Sequence, residues 1–351
     1  MTQRWKHRPE GSNWGDFGPD DELGRLNLLT PERVMRAKEE IVEGRTFCLS
    51  LPLDYPGGNV LNPRRTPPVL QPTTSPENGL ARYNFPMRME DPRYLDVGCD
   101  DRVLMTLQYS TQWDAFCHMG QLFDADGDGV EEIRYYNGWQ GGTDIVGPVD
   151  YDQKTGKAIP REDVMGARRL GIEKFAEKGI VGRGVMVNLA SHFGRERKIV
   201  TYDDFMRVLD TDKVVVEEGD MLCLYTGFAD VIMEMNKKPD GPTLARSCPA
   251  LDGRDPKLLQ WITDSGIATL FADNYAVEQM PARPGEGDTY AALPLHNHCL
   301  FKIGVPLGEM WWFGELAPWL KANGRSRFFM TGQPLRLPGA VGSPGNAVAV
   351  V

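Results

Sequence analysis

Histidine is scarce in this chain. There are five in 351 residues, at His7, His118, His192, His296 and His298, so imidazole chemistry must be drawn from very few positions. Cysteine is also sparse, with six residues at Cys48, Cys99, Cys117, Cys223, Cys248 and Cys299 and no Cys-x-x-Cys pair. A chain of this size is stable without disulfides, so reduced thiols are expected. No long basic run occurs and the formal net charge is -10, which argues against a nucleic-acid partner, because phosphate backbones are held by Lys/Arg clusters. No uncharged apolar run is long enough to span a bilayer, and the polar N-terminal stretch is followed by no apolar segment. A cytoplasmic protein without a membrane partner is the expectation. Repeats, low-complexity tracts and a clear linker are missing too, which suggests one domain over residues 1–351.

The residues that are present suit a folded α/β chain. Hydrophobic residues make up 41% and charged residues 25%, enough for a large core under a polar surface. Thr30 to Gly44 reads as a helix with Thr30 as cap, Pro31 in the first turn and Val34, Ala37, Ile41 and Val42 as its apolar stripe. From about 51 to 92, nine prolines break any regular ladder and predict a long arm or loop, a lid or an interface. A second helix is expected over Asp163 to Lys178, then a buried strand over Gly184 to Ala190. Thr201-x-x-Asp204 can cap a further helix, and Val214 to Val216 with Met221 to Tyr225 look like a hairpin. Asp255 and Pro256 open another helix, and Ala268 to Phe271 are extended. The tail from about Gly339 is expected to be irregular.

Chemistry concentrates in two places. In the first, Asp114 and His118 lie four positions apart, so a helical turn would bring them together as a metal-binding pair or as an imidazole oriented by a carboxylate. A surface ion pair has the same spacing. Cys117 beside His118 is better read as a small buried hydrophobe than as a nucleophile, since adjacent residues point different ways. The second place holds His296 and His298, which would share a face on a strand, and then Glu309. Asp273 and Asn274 follow a predicted strand and are candidate pocket residues, as is Trp113. Asp124, Asp126 and Asp128 match half of a calcium loop, but Tyr135 stands where the bidentate Glu belongs, so an acidic surface turn is expected.

Several separated stretches together resemble the cyclase family of metal-dependent hydrolases related to kynurenine formamidase. They are Trp14-Gly15-Asp16, Asp20 to Gly24, Leu26 to Val34, the segment 108–118, Tyr136-Asn137-Gly138, Gly179 to Val185, Ala272-Asp273-Asn274 and the block from His296 to Glu309. The family pattern His-x-Gly-Thr-His-x-Asp-x-Pro-x-His superposes on residues 108–118 without a gap. Thr111, Asp114 and His118 match it, whereas Gln108 and Gln112 replace two metal-binding histidines, Ser110 replaces Gly and Phe116 replaces Pro.

The resemblance implies a swivelling β/β/α fold, an open barrel-like mixed sheet with helices around it, and a homodimer or larger homo-oligomer. It also implies His118 as the general acid/base and Asp114, His296 and Glu309 as ligands of one divalent ion, manganese or zinc. His298 is the alternative to His296. Gln108 and Gln112 become auxiliary ligands or substrate hydrogen-bonders. The expected activity is hydrolysis of a small amide, cyclic amide or lactone. Competing readings are a metal-free acid-base enzyme, such as a dehydratase or cyclase-like lyase, and an inactive small-molecule-binding protein.

Overall fold

The computed structural model describes residues 4–152 and 155–351. Its central sheet has eight strands: β1 (Thr46–Cys48), β2 (Gln112–Asp114), β3 (Val181–Asn188), β4 (Met221–Tyr225), β5 (Thr269–Ala272), β6 (Leu307–Glu309), β7 (Arg327–Pro334) and β8 (Gly342–Val350). They lie in the order β1-β8-β7-β3-β4-β5-β6-β2, and β2 pairs again with β8, so seven of the eight close into a ring. The run β3-β4-β5-β6 is parallel and the remaining pairings are antiparallel. Strands buried on both faces need apolar side chains at nearly every position. Val185, Met186 and Val187 in β3, and every residue from Met221 to Leu224 in β4, meet that demand.

Helices pack around this barrel, as expected for a mixed α/β fold. Thr201 and Asp204 form a reciprocal capping box at the start of the helix Tyr202–Asp212, satisfying amides that have no intrahelical partner. At Pro256–Ser265 the Asp255 carboxylate accepts from the Lys257 and Leu258 amides, and Leu258 and Ile262 face the core. No helix among the described residues is long and apolar enough to cross a membrane.

Four expectations about local structure are corrected. The tail is not irregular: β8 is a nine-residue strand between β1 and β7, with Ala347 and Ala349 buried. Its Gly and Ala residues carry little strand propensity of their own, and pairing on both sides decides the outcome. Val214 to Val216 form no hairpin with β4, which takes parallel neighbours on both edges instead. The helix expected over Asp163 to Lys178 shrinks to Glu173–Lys178, because Gly166–Ala167 pair with Ile145–Val146 and Leu170 adopts a φ of 60°. The first helix stops at Ala37, followed by a single 3-10 turn, and leaves Ile41 and Val42 exposed.

The proline-rich arm has an anchored base and an open end. Leu51 and Tyr55 join a small apolar cluster with Phe228, Ile232 and Met310. Beyond the base, Val69–Pro72 pair with Asp101–Leu104, and Phe85–Pro86 with Val97–Gly98. Leu70, Leu95 and Leu104 on these pieces are exposed.

Trp113 is a core residue, where a pocket lining was expected. Its ring centroid lies 4.8 Å from Phe271, 5.7 Å from Trp311 and 6.1 Å from Phe175, edge-on in each case. Trp113→Ala should cost about 3–5 kcal/mol of stability, read as a shift in the urea midpoint.

Candidate metal centre

Alternation along β2 sends Trp113 into the packed interior and puts Gln112 and Asp114 together on the opposite face. Gln112 stands in register with Glu309 of β6, so the Glu309 carboxylate lies diagonally across from Asp114. On the other side Asp114 is in register with Gly342 of β8. A Cβ at Gly342 would sit 2.6 Å from Gln108 Nε2 and 2.8 Å from the Trp113 carbonyl, so the close approach of Gln108 requires glycine here.

Asp114 and His118 do meet, though not on one helical turn. The strand ends at Asp114 and the chain folds back, with the His118 amide donating to the Ala115 carbonyl at 2.8 Å. That turn leaves His118 Nε2 3.8 Å from Asp114 Oδ1, with the imidazole 20% exposed and the carboxylate fully buried. Cys117 points elsewhere, its thiol donating to the Leu170 carbonyl, and burial pushes its pKa up.

His296 and His298 do not share a strand face. They lie on a helical turn, Pro294–His296, that continues into a wider turn, and they diverge. His298 Nε2 is 2.8 Å from Thr263 Oγ1, away from the site, and burial lowers its pKa to about 4. His296 Nε2 is 3.0 Å from Glu309 Oε1 and 3.8 Å from Asp114 Oδ2. His296, not His298, therefore joins the carboxylates.

Glu278 escaped the sequence reading. Its carboxylate accepts from His296 Nδ1 at 2.9 Å and from the Leu295 and His296 amides at 3.1 and 3.0 Å. It thus fixes both the ring and the turn that carries it. Gly253 makes room: a Cβ there would come within 2.1 Å of Glu278 Oε2. The available signal was a lone acid in the apolar stretch Tyr275-Ala276-Val277-Glu278, just after Ala272-Asp273-Asn274.

Arg65 was also missed, because nothing local marks one arginine in a proline-rich arm. The Tyr109 hydroxyl donates to the Gly58 carbonyl and Ser110 Oγ to the Pro52 carbonyl, tying the arm base to the segment before β2. Arg65 Nη1 then donates to the Gln108 carbonyl at 2.7 Å and, more distantly at 3.4 Å, to Gln112 Oε1. Gln112 Nε2 donates in turn to Asp114 Oδ1 at 3.2 Å.

The electrostatics follow from burial. Burial raises the pKa of Asp114, partly offset by His118. Burial acts the same way on Glu309, but its hydrogen bond from His296 prevails and the net shift is downward. Burial alone would lower the pKa of His296; hydrogen bonds to Glu278 and Glu309 push it up to about 10.

Ligand atoms of Asp114, His296 and Glu309 lie within 4.8 Å of one another, and all three residues are buried. Asp114 Oδ2 is a buried acceptor with no hydrogen-bond partner. One nitrogen and two carboxylates at this spacing fit a divalent cation, with Glu278 as the outer carboxylate that orients the histidine ligand. A second acidic group, Asp124, Asp126 and Asp128, is an acidic turn at the surface: the Asp124 carboxylate accepts from the Gly127, Asp128 and Gly129 amides. Asp273 and Asn274 are buried and are not part of this cluster. Asp273 accepts from the Thr226 amide and hydroxyl and the Gly227 amide, and burial pushes its pKa up to about 7. His192 lies outside the cluster, paired with Asp212 at 3.0 Å.

Glu278→Gln should weaken metal uptake by about 10- to 100-fold, measured by competition with a chromogenic chelator, while the circular dichroism spectrum is unchanged.

A family profile described as "Putative cyclase" matches residues 48–279. The crystal structure of a novel cyclase superposes with a TM-score of 0.72 at 30% identity, covering 97% of each chain. Isatin hydrolase A from Ralstonia solanacearum superposes at 0.53 with 14% identity over 91% of this chain and 97% of that one. The corresponding enzyme from Labrenzia aggregata, bound to benzyl benzoate, gives 0.51 and 13% over 88% and 93%. The last two show a shared fold only. No curated protein sequence matches the chain. With most of its length matched by the profile and nearly all of it by a cyclase at 30% identity, the chain belongs to the cyclase family.

Proposed function

We propose that this protein is a metal-dependent hydrolase of a small amide, cyclic amide or lactone. The observation that carries the reading is the buried set Asp114, His296 and Glu309, with its unpartnered Asp114 Oδ2, beside a partly open His118. The isatin hydrolases named above share the fold and give the same reaction class as a precedent.

One manganese or zinc ion per chain suits the mainly oxygen donor set. Held by Asp114, His296 and Glu309, such an ion would supply Lewis acidity toward water and a carbonyl oxygen. The chain's own groups do the rest. His118 Nε2, next to the Asp114 carboxylate, takes a proton from the attacking water and returns it to the leaving nitrogen or oxygen. Gln108 Nε2 is a buried donor with no acceptor, which makes it available to a substrate oxygen. Arg65 holds the two glutamines in place through the Gln108 carbonyl and Gln112 Oε1. Because the His296–Glu309 hydrogen bond also satisfies those two groups without an ion, metal-free acid-base chemistry at His118 is the competing reading.

Leu70 of the arm and Val103, directly opposite it on the paired strand, are both exposed and share one face, which supports a homodimer in which this face is covered by a second copy.

Three outcomes test these statements. Elemental analysis should find close to one manganese or zinc per chain, lost in Asp114→Ala; a metal-free protein that takes up neither ion would leave only the competing reading. Across a panel of formamides, cyclic imides and lactones, His118→Ala should reduce kcat by about 10²- to 10⁴-fold with metal content unchanged. Analytical ultracentrifugation should give a dimer that Leu70→Glu with Val103→Glu converts to monomer.

A further inference from the structure

A cavity of about 230 Å³ lies outside the candidate metal centre, and none of Asp114, His118, His296 and Glu309 lines it. Its walls come from the arm base at Val60 and Leu61, from the helix Gly241–Ala245 at Gly241 and Leu244, and from the loop that leads from Asn274 to Pro281. Leu61 and Tyr275 also line a narrow cleft containing Arg65, Gln108 and Met310, so the two spaces adjoin. Most of the lining is apolar, and two polar groups break it.

The first is Arg197. Its Nη2 makes one long hydrogen bond, 3.4 Å to the Leu244 carbonyl, and its Nε is buried without an acceptor. Among the described residues no carboxylate forms an ion pair with it. Burial lowers its pKa, opposed by the Cys248 thiol and by no carboxylate. The second is Asn274, which is 1% exposed. Its amide nitrogen donates to the Pro249 and Val277 carbonyls, and its Oδ1 has no donor. A buried donor or acceptor left unmade costs about 1–3 kcal/mol, and more for a charged group. Two such groups on one cavity wall are matched by a ligand that carries the missing partners.

We propose that this cavity binds a small organic carboxylate with a compact apolar body, its carboxylate paired with Arg197 and a hydroxyl or amine donating to Asn274 Oδ1. The volume falls below the usual range for drug-sized ligands, so a single-ring compound is the right size. This assignment stands apart from the metal chemistry and makes no use of it.

The test is calorimetric titration of the purified full chain with 3-hydroxybenzoate and with its methyl ester. Arg197→Gln should weaken binding of the acid by about tenfold or more and leave the ester unchanged, since a charge-assisted hydrogen bond is lost only for the acid. Gly241→Leu offers a second route. A Cβ there lies 3.8 Å from Val60 Cβ, in ordinary contact, so the larger side chain extends into the cavity and should abolish binding of the acid without lowering the melting temperature. Asp114→Ala should keep the acid's affinity, because the centre it disables lies outside the cavity. The proposal is overturned by a wild-type Kd weaker than about 10 mM, by binding that survives both Arg197→Gln and Gly241→Leu, or by loss of binding in Asp114→Ala, which would place the acid at the metal centre. A wild-type protein that binds the acid but no metal would sink the hydrolase reading and leave this one standing.

Discussion

Burying like charge is the constraint around which the site is arranged. The carboxylates of Asp114, Glu278 and Glu309 are withdrawn from water around a single buried imidazole. The penalty for desolvating each ion is several kcal/mol, and one imidazolium cannot neutralise three acids. Two compensations are visible. Glu278 spends its oxygens on two backbone amides and the His296 ring, which makes it a structural acid. Asp114 and Glu309 have fewer donors, and Asp114 Oδ2 has none, so the uncompensated charge is concentrated where a cation fits best.

The substitutions Gln108 and Gln112 make sense in the same terms. Neutral amides do not add to the charge that an ion must balance, and Arg65 donates to the Gln108 main-chain carbonyl and to the Gln112 side-chain amide oxygen. Arg65 comes from the proline-rich arm, so this segment does more than extend over the surface. Its base contributes a cation to the neighbourhood of β2, while its outer part leaves apolar side chains exposed. One excursion thereby connects the site's electrostatics to the molecular surface.

What could be read from the sequence followed how local the governing physics is. Capped helices such as Tyr202–Asp212 and Pro256–Ser265 announce themselves within four residues, and they form where expected. The strand β8 could not be read, because Gly, Ala and Val in its nine residues become a strand only by pairing with β1, β2 and β7. Asp163 to Leu170 failed for the opposite reason: the apolar spacing is helical, but tertiary pairing at Gly166–Ala167 and a left-handed Leu170 override it. In the site, Asp114, His118, His296 and Glu309 were found by family pattern, and the structure brings those four together. Glu278 and Arg65 lie in segments whose relation to the centre exists only in three dimensions.

The ring closure bears on time as well as on position. β2 is three residues long, yet it is paired on one side to β6 and on the other to β8, so it has no free edge. A strand held this way cannot fray on its own; its amides reach solvent only when the barrel seam opens. Hydrogen exchange at Gln112, Trp113 and Asp114 should therefore proceed through that opening and be slow. The lifetime of the carboxylate geometry is then tied to the lifetime of the barrel, so a short segment that would be unstable alone acquires the persistence of the whole sheet.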